Sequence, residues 1–225
     1  MSFDSDYKAA GDRKGILIMT AVKAEADAVQ RGLGGADGFD VRIAGVGPAL
    51  AAARTASALA NAEYRLVISA GIGGGFSGQA DVGSLVVASE IIAADLGAET
   101  AEGFLSLDAL GFGSARIAVD ADLADKLTQA LGAAGLPVRC GPVLTVSTVT
   151  GTAETARVRA AQVPGAAAEG MEGFGVAAAA LEHGVPALEI RAISNAVGPR
   201  DRDAWRIKDA LEALEAASTI LREVL

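Results

Sequence analysis

From residue 15 onward the chain alternates short apolar runs with longer segments in which apolar residues recur every three or four positions. Gly15-Ile-Leu-Ile-Met-Thr20 is an apolar run of strand length. Ala24 to Leu33 follows, with Ala26, Val29 and Leu33 at i, i+3 and i+7, the spacing of one buried helix face. Phe39 to Ala44 reads as a second strand. Gly47-Pro48 then opens an alanine-rich helix to about Ala60, with proline in a first-turn position where its missing N–H is not needed. Arg65 to Ala70 is a third strand, apolar throughout, as a sheet covered on both faces requires. Val82 to Ala93 is a long strand, whereas Gly97, Gly103, Gly111 and Gly113 break any period across 94–118. Leu123, Leu127 and Leu131 mark an amphipathic helix over Ala121 to Ala134. A strand at Pro142 to Val149, helices at Thr152 to Gln162 and Gly170 to His183, a strand at Pro186 to Ser194 and a closing helix at Asp203 to Val224 complete the reading. Strands alternating with helices predict an α/β fold with a largely parallel central sheet. Residues 1–14, polar and aperiodic, read as a flexible leader, and 15–225 as a single domain without linker or repeat.

Composition narrows what such a domain does. The 225 residues carry 28 acidic and 19 basic side chains, a formal charge of −9, with no basic run. Nucleic acid, held mainly by Lys and Arg on phosphates, is therefore not an expected partner. Hydrophobic residues form 51% of the chain, which excludes general disorder but raises the question of a membrane. The longest charge-free stretch, Leu66 to Ala80, has 15 residues against the ~20 of a spanning helix, so no membrane association is expected. Cys140 and His183 are each the only residue of their kind. That removes disulfide frameworks, cysteine zinc sites and Ser-His-Asp or Cys-His triads. Catalysis then rests on carboxylates, amides, hydroxyls, backbone groups or lysine, with no metal and no cofactor expected. The leader lacks the apolar segment of a signal peptide, and a cytoplasmic location is expected.

Ligands of α/β sheets bind beyond the carboxyl ends of strands. Four places of that kind carry unusual residues: Glu25 after the first strand, Gly71-Ile-Gly-Gly-Gly75 after the third, Glu169-Gly-Met-Glu-Gly-Phe-Gly175 at a helix start, and Glu189-Ile-Arg-Ala-Ile-Ser-Asn195, with the run on to Trp205, at the end of the last strand. Each has a plain alternative. Glu25 suits a helix N-terminus, where a negative charge gains ~0.3–1 kcal/mol. The glycine run reads as a turn and matches neither a Walker motif nor a clean dinucleotide fingerprint. Asn195 fits a turn, Arg200 and Asp203 a solvated loop, and His183 before Gly184 a helix cap. Glu172, between Met171 and Gly173 ahead of an apolar helix, is a carboxylate that needs a partner. Two carboxylates and one amide converging on one sheet edge outweigh the separate alternatives.

The succession of Glu25, Gly71-Ile-Gly-Gly-Gly75, Val146-Ser-Thr-Val-Thr-Gly151, Met171-Glu172-Gly173 and Arg191-Ala-Ile-Ser-Asn195 resembles the nucleoside phosphorylase and nucleosidase superfamily, from about residue 15 to 225. Within it the chain is most similar to the futalosine hydrolases of menaquinone biosynthesis. The resemblance implies a three-layer αβα fold with a mixed, largely parallel central sheet. It also implies a homo-oligomer, a dimer or larger, in which the alanine-rich helix at 48–60 packs on a partner. The implied substrate is a small purine nucleoside whose N-glycosidic bond is cleaved through an oxocarbenium-like state.

On this resemblance Glu172 grips the ribose hydroxyls, Met171 packs on the sugar and Glu25 activates the attacking water. Ile72, Gly73 and Ser194 belong to the substrate-binding set. Adenine-specific relatives typically carry Asp where this chain has Asn195. An amide accepts from a protonated N7 and donates to a 6-oxo group, so a 6-oxopurine is expected. Phosphorylases of the superfamily hold phosphate with arginines before the glycine run and near the first strand; here Ile68, Ser69, Ala70 and Glu25 stand there, so water is the expected nucleophile. Arg200 and Arg202 fit a carboxylate on the substrate's 5′ substituent, with ion pairing to Asp201 and Asp203 as the alternative. Trp205 lies ten positions after Asn195, where related nucleosidases place an aromatic on the purine; a core role is its alternative. Residues 94–113 are expected to line the 5′ pocket. Other purine nucleosidases such as methylthioadenosine or adenosylhomocysteine enzymes, a phosphorylase, and a nucleoside-binding protein without turnover are the competing readings.

Overall fold

A computed structural model describes residues 15–225; the expected leader over 1–14 lies outside the described residues. In chain order the first half contains β1 (Ile16–Thr20), α1 (Lys23–Leu33), β2 (Phe39–Ile43), α2 (Pro48–Asn61), β3 (Leu66–Gly75) and β4 (Leu85–Ala93). Then come β5 (Gly97–Thr100), β6 (Gly103–Ser106), α3 (Leu107–Leu110), β7 (Arg116–Ala118) and α4 (Ala121–Ala133). The chain continues with β8 (Val138–Thr145), α5 (Ala153–Gln162), β9 (Ala168–Gly170), α6 (Gly173–Glu182), β10 (Ala187–Ala196), a short 3-10 turn at Arg202–Ala204 and α7 (Ile207–Val224).

The central sheet is mixed and largely parallel. β1 pairs in parallel with β2 and β3, β3 with β10, β4 with β8, and β8 with β9. β10–β4, β3–β9 and β4–β7 are antiparallel. Because β3 pairs with both β10 and β9, the strands β3, β10, β4, β8 and β9 close into a ring, with β1 and β2 extending outward from β3. Helices α1, α4 and α7 pack together on one face, and α2 and α6 form a second group. This is the three-layer arrangement expected for the chain.

Apolar strands make the core. Every residue of β1 is buried, and Val67, Ile68, Leu188 and Ile190 meet it from β3 and β10. The helices seal it with single stripes: Ala51, Thr55 and Ala58 on α2, Leu127 and Leu131 on α4, and Ala210, Leu214, Ala217 and Leu221 on α7.

Three expectations are corrected. The Gly71–Gly75 run is strand rather than turn: it continues β3, paired with β10 on one side and β9 on the other, and none of its glycines has positive φ. Residues 94–118 are not irregular throughout but form the β5–β6 hairpin, α3 and β7, held by local pairs such as Ala98 with Leu105. The closing helix starts at Ile207 instead of Asp203, because Asp203 lies in the 3-10 turn. The three-residue β9 had no periodic signal.

Candidate active site

Past the carboxyl ends of β3 and β10 lies an open cavity of about 250 Å³. Glu25, Ile72, Gly73, Met171, Glu172, Ser194, Asn195, Arg200 and Trp205, nine residues singled out by sequence, line it. Arg202 does not, and neither does any residue of 94–113, which instead contribute Phe104, Leu105, Ser106, Asp108 and Ala109 to a separate cavity. His183 sits at the C-cap of α6, away from this cavity.

Glu25 reaches its place through the start of α1. Its Oε2 accepts the backbone N–H groups of Ala21 (2.8 Å) and Val22 (3.2 Å), so it closes the helix N-terminus. Its Oε1 accepts the Ile72 N–H of β3 at 2.9 Å. Glu25 thus both closes the helix N-terminus and lines the cavity, and the first contact holds the carboxylate still in the second place. Burial pushes the Glu25 carboxyl above its ordinary range; the Ile72 N–H and Arg191 oppose this, while the Glu172 charge adds to it.

Glu172 is the N-cap of α6 and is buried. Its Oε1 accepts the Gly47 N–H at 3.3 Å, and its Oε2 accepts the Met171 N–H and the Arg191 Nη1 group, each at 3.3 Å. Gly47 needs its φ of +90° to present that N–H, a conformation open to glycine without strain. Gly175 lets the start of α2 approach α6: a Cβ there would run into the Pro48 carbonyl.

Asn195 is aimed by a bulge. The β3–β10 register shifts between Ile193 and Asn195, leaving Ser194 as the extra residue, the kind of irregularity that redirects side chains at strand ends. The Ser194 hydroxyl donates to Asn195 Oδ1 at 2.8 Å, with the Gly73 carbonyl at 3.2 Å as its other acceptor. Asn195 Nδ2 donates to the Ala196 carbonyl at 3.0 Å. The amide therefore keeps one lone pair and one N–H for a ligand. Arg200 and Arg202 do not pair with Asp201 or Asp203; their guanidinium carbons lie 5.2 and 5.9 Å from the Trp205 ring centre, cation–π contacts that leave the Arg200 charge at the cavity.

Beneath these residues is a charged cluster that sequence reading quoted only as part of a motif. Arg191 on β10 is buried and its Nε donates to Glu189 Oε1 at 2.7 Å. Its Nη2 donates to the Ser69 hydroxyl at 3.0 Å. Burial alone would lower the Arg191 pKa, but Glu189, Glu172 and Glu25 together raise it. The motif glycines make room for this cluster. A Cβ on Gly71 would lie 2.7 Å from Glu25 Oε1 and 2.8 Å from Arg191 Nη1, and one on Gly170 would lie 3.0 Å from the guanidinium carbon. A signal was present: Glu189 and Arg191 stand two apart in an apolar strand, hence on one face.

Glu169 was also missed as a site residue. It is buried; its Oε1 accepts the Thr150 N–H at 2.8 Å, its Oε2 accepts the Thr150 hydroxyl, and Arg159 approaches to 3.7 Å. This ties the 146–152 loop, with Val149 and Thr150, to the cavity wall.

Comparison with known proteins agrees with this geometry. A family model for the phosphorylase superfamily matches residues 34–225. The chain is 53% identical to futalosine hydrolase of Streptomyces coelicolor, over 93% of this chain and 96% of that one. It is 36% identical to futalosine hydrolase of Thermus thermophilus, over 83% and 82%. Among solved structures it superposes on a 5′-methylthioadenosine/S-adenosylhomocysteine nucleosidase of Neisseria meningitidis in complex with methylthio-immucillin-A, with a TM-score of 0.79 at 19% identity over 93% and 99% of the chains. Futalosine hydrolase of Helicobacter pylori gives 0.78 at 17% over 93% and 98%. A shared fold at such low identity, joined to close sequence relatives of one kind, places the chain in the futalosine hydrolase family of the phosphorylase superfamily.

Proposed function

We propose that this chain hydrolyses the N-glycosidic bond of futalosine, releasing hypoxanthine and dehypoxanthine futalosine in menaquinone biosynthesis. The observation that carries the reading is the ionic make-up of the cavity floor. Glu25 and Glu172 both face the cavity, while Arg191, the cation beneath them, is committed to Glu189, Glu172 and Ser69. Such a floor suits a sugar that becomes cationic and disfavours a phosphate dianion. Water is then the nucleophile.

As the C1′–N9 bond breaks, its electrons pass to the base, and the ribosyl ring becomes oxocarbenium-like. Glu172, bound to the ribose hydroxyls, interacts more strongly as that charge develops. Glu25 takes a proton from the water that attacks C1′. N7 of the leaving base takes a proton from solvent water as the C1′–N9 electrons move onto the ring; Asn195 accepts from that N7–H and donates to the 6-oxo group, holding the proton without supplying it. A carboxylate in its place would repel that oxygen. Met171 packs on the sugar, the backbone at Ile72 and Gly73 with Ser194 borders it, Trp205 lies on the bound nucleoside, and Arg200 receives the acidic 5′ substituent. No cofactor takes part. Exposed Ile43, Val46 and Leu50 near the start of α2 support a homo-oligomer packed on that side. A cytoplasmic location fits an acidic chain in which, among the described residues, no helix is long and apolar enough to cross a membrane.

Incubation with futalosine, inosine and methylthioadenosine, in buffers with and without phosphate, tests the reading by chromatography of the free base. Hypoxanthine from futalosine in phosphate-free buffer is the expected result. Adenine release without hypoxanthine would point to the methylthioadenosine class, and a strict need for phosphate to a phosphorylase.

A further inference from the structure

We infer that Glu189, which does not touch the cavity, is a positioning residue that orients Arg191 and makes the floor more negative toward a cationic sugar. The inference rests on the glycosidic reading above and adds to it a residue that the family resemblance did not supply.

The geometry is specific. Glu189 is wholly buried, and its Oε1 accepts Arg191 Nε at 2.7 Å. That bond, together with the one from Nη2 to Ser69, fixes the guanidinium plane and leaves Nη1 pointing at Glu172 Oε2 and the Ile72 carbonyl. The second carboxylate oxygen, Oε2, has no hydrogen-bond partner. It lies under the first residue of α6, where a Cβ on Gly173 would overlap it outright. Gly173 is therefore the space in which this carboxylate sits.

The charge count follows from the same contacts. Two carboxylates, Glu172 from the α6 cap and Glu189 from β10, pair with one guanidinium, a third, Glu25 from α1, acts on it through space, and Ser69 and the Ile72 carbonyl of β3 are its neutral partners. Two carboxylates on one cation already leave one negative charge in excess; the third makes it two, in a water-poor setting where charges act strongly. Without Glu189 the guanidinium would spend its whole charge on Glu25 and Glu172, the two groups that must meet the cationic sugar and the water. Burial already holds the Glu189 carboxyl above its ordinary range, with Arg191 opposing.

The test is Glu189→Gln, which keeps the shape and removes the charge. Three readouts separate a charge-positioning role from packing. The inhibition constant for an iminoribitol nucleoside, protonated on its ring nitrogen, should weaken about tenfold more than that for hypoxanthine, a neutral ligand. The kcat for futalosine should fall about 10–100-fold with KM changed less than about threefold. The acidic limb of kcat/KM should move to lower pH, because a less shared Arg191 charge favours the ionised Glu25. Equal weakening of cationic and neutral ligands with an unmoved limb would overturn the inference.

If Glu189→Gln does not fold, Gly173→Ala serves instead, since its methyl takes the space of the Glu189 carboxyl and forces it away from Arg191 while every charged residue is kept in the chain. The same selective loss of the cationic inhibitor is expected, and an unchanged ratio of the two constants would overturn the inference. Failure of the wild-type chain to release hypoxanthine from futalosine would strike the glycosidic reading. Normal wild-type turnover with an unaltered Glu189→Gln would strike this inference alone.

Discussion

Glu169 and Glu172, two buried carboxylates, stand three residues apart in sequence, and the clusters they belong to are built on opposite terms. Around Glu169 the account balances: one carboxylate meets a backbone N–H, a hydroxyl and the Arg159 guanidinium. Around Arg191 it does not: two carboxylates pair with one cation and a third, Glu25, acts on it through space, one oxygen stays without a partner, and Glu25 and Glu189 both hold their protons more tightly than usual. A balanced cluster contributes to stability, because breaking it strands a buried charge. An unbalanced one weakens the fold and is retained where a ligand completes it. The difference separates a strut of the cavity wall from the proposed catalytic floor.

Substitutions that strike the two clusters separately test that division. Glu172→Gln should produce the largest effect, a fall of about 10²–10³-fold in kcat for futalosine with little change in melting temperature. Near-normal turnover would remove the role given to the floor. Asn195→Asp, at the rim, should lower kcat/KM for 6-oxopurine nucleosides about 10²-fold, since a carboxylate faces the 6-oxo oxygen; a panel of inosine-type and adenosine-type substrates reads this directly. Arg200→Ala should raise KM for futalosine about tenfold while leaving inosine unaffected. An equal change for both substrates would show that Arg200 does not sense the 5′ substituent.

Glu169→Gln should change activity least. It should cost about 1–3 kcal/mol of stability in denaturant unfolding while kcat stays within about threefold of wild type. A catalytic loss as large as that of Glu172→Gln would erase the distinction between the clusters.

The strand–helix alternation was legible because the core is a set of clean periods: β1 is uninterrupted apolar sequence, and α4 and α7 carry single buried stripes. What periodicity missed depends on tertiary contact. β9 is three residues long and exists because β3 and β8 pair with it. The glycine strand looked like a turn because a side-chain-free strand has no alternation; its reason, room for Glu25 and Arg191, lies across the sheet. The cavity-lining residues stood out as polar groups at strand ends. Glu189, Arg191 and Glu169 did not, since a buried group's partners come from distant segments: Ser69 and Arg191 are 122 positions apart.

The pH dependence of kcat/KM for futalosine on the wild-type chain tests the unbalanced floor most directly. That parameter reports groups of the free enzyme. Glu25 must be ionised to take the proton from water, and its carboxyl is raised by burial and by the Glu172 charge. Activity should therefore fall, reversibly, as pH drops through an acidic limb centred above the ~4.3 of an ordinary glutamate. A limb centred at or below that ordinary value in folded enzyme would mean that Glu25 is an ordinary carboxylate, and would contradict the account.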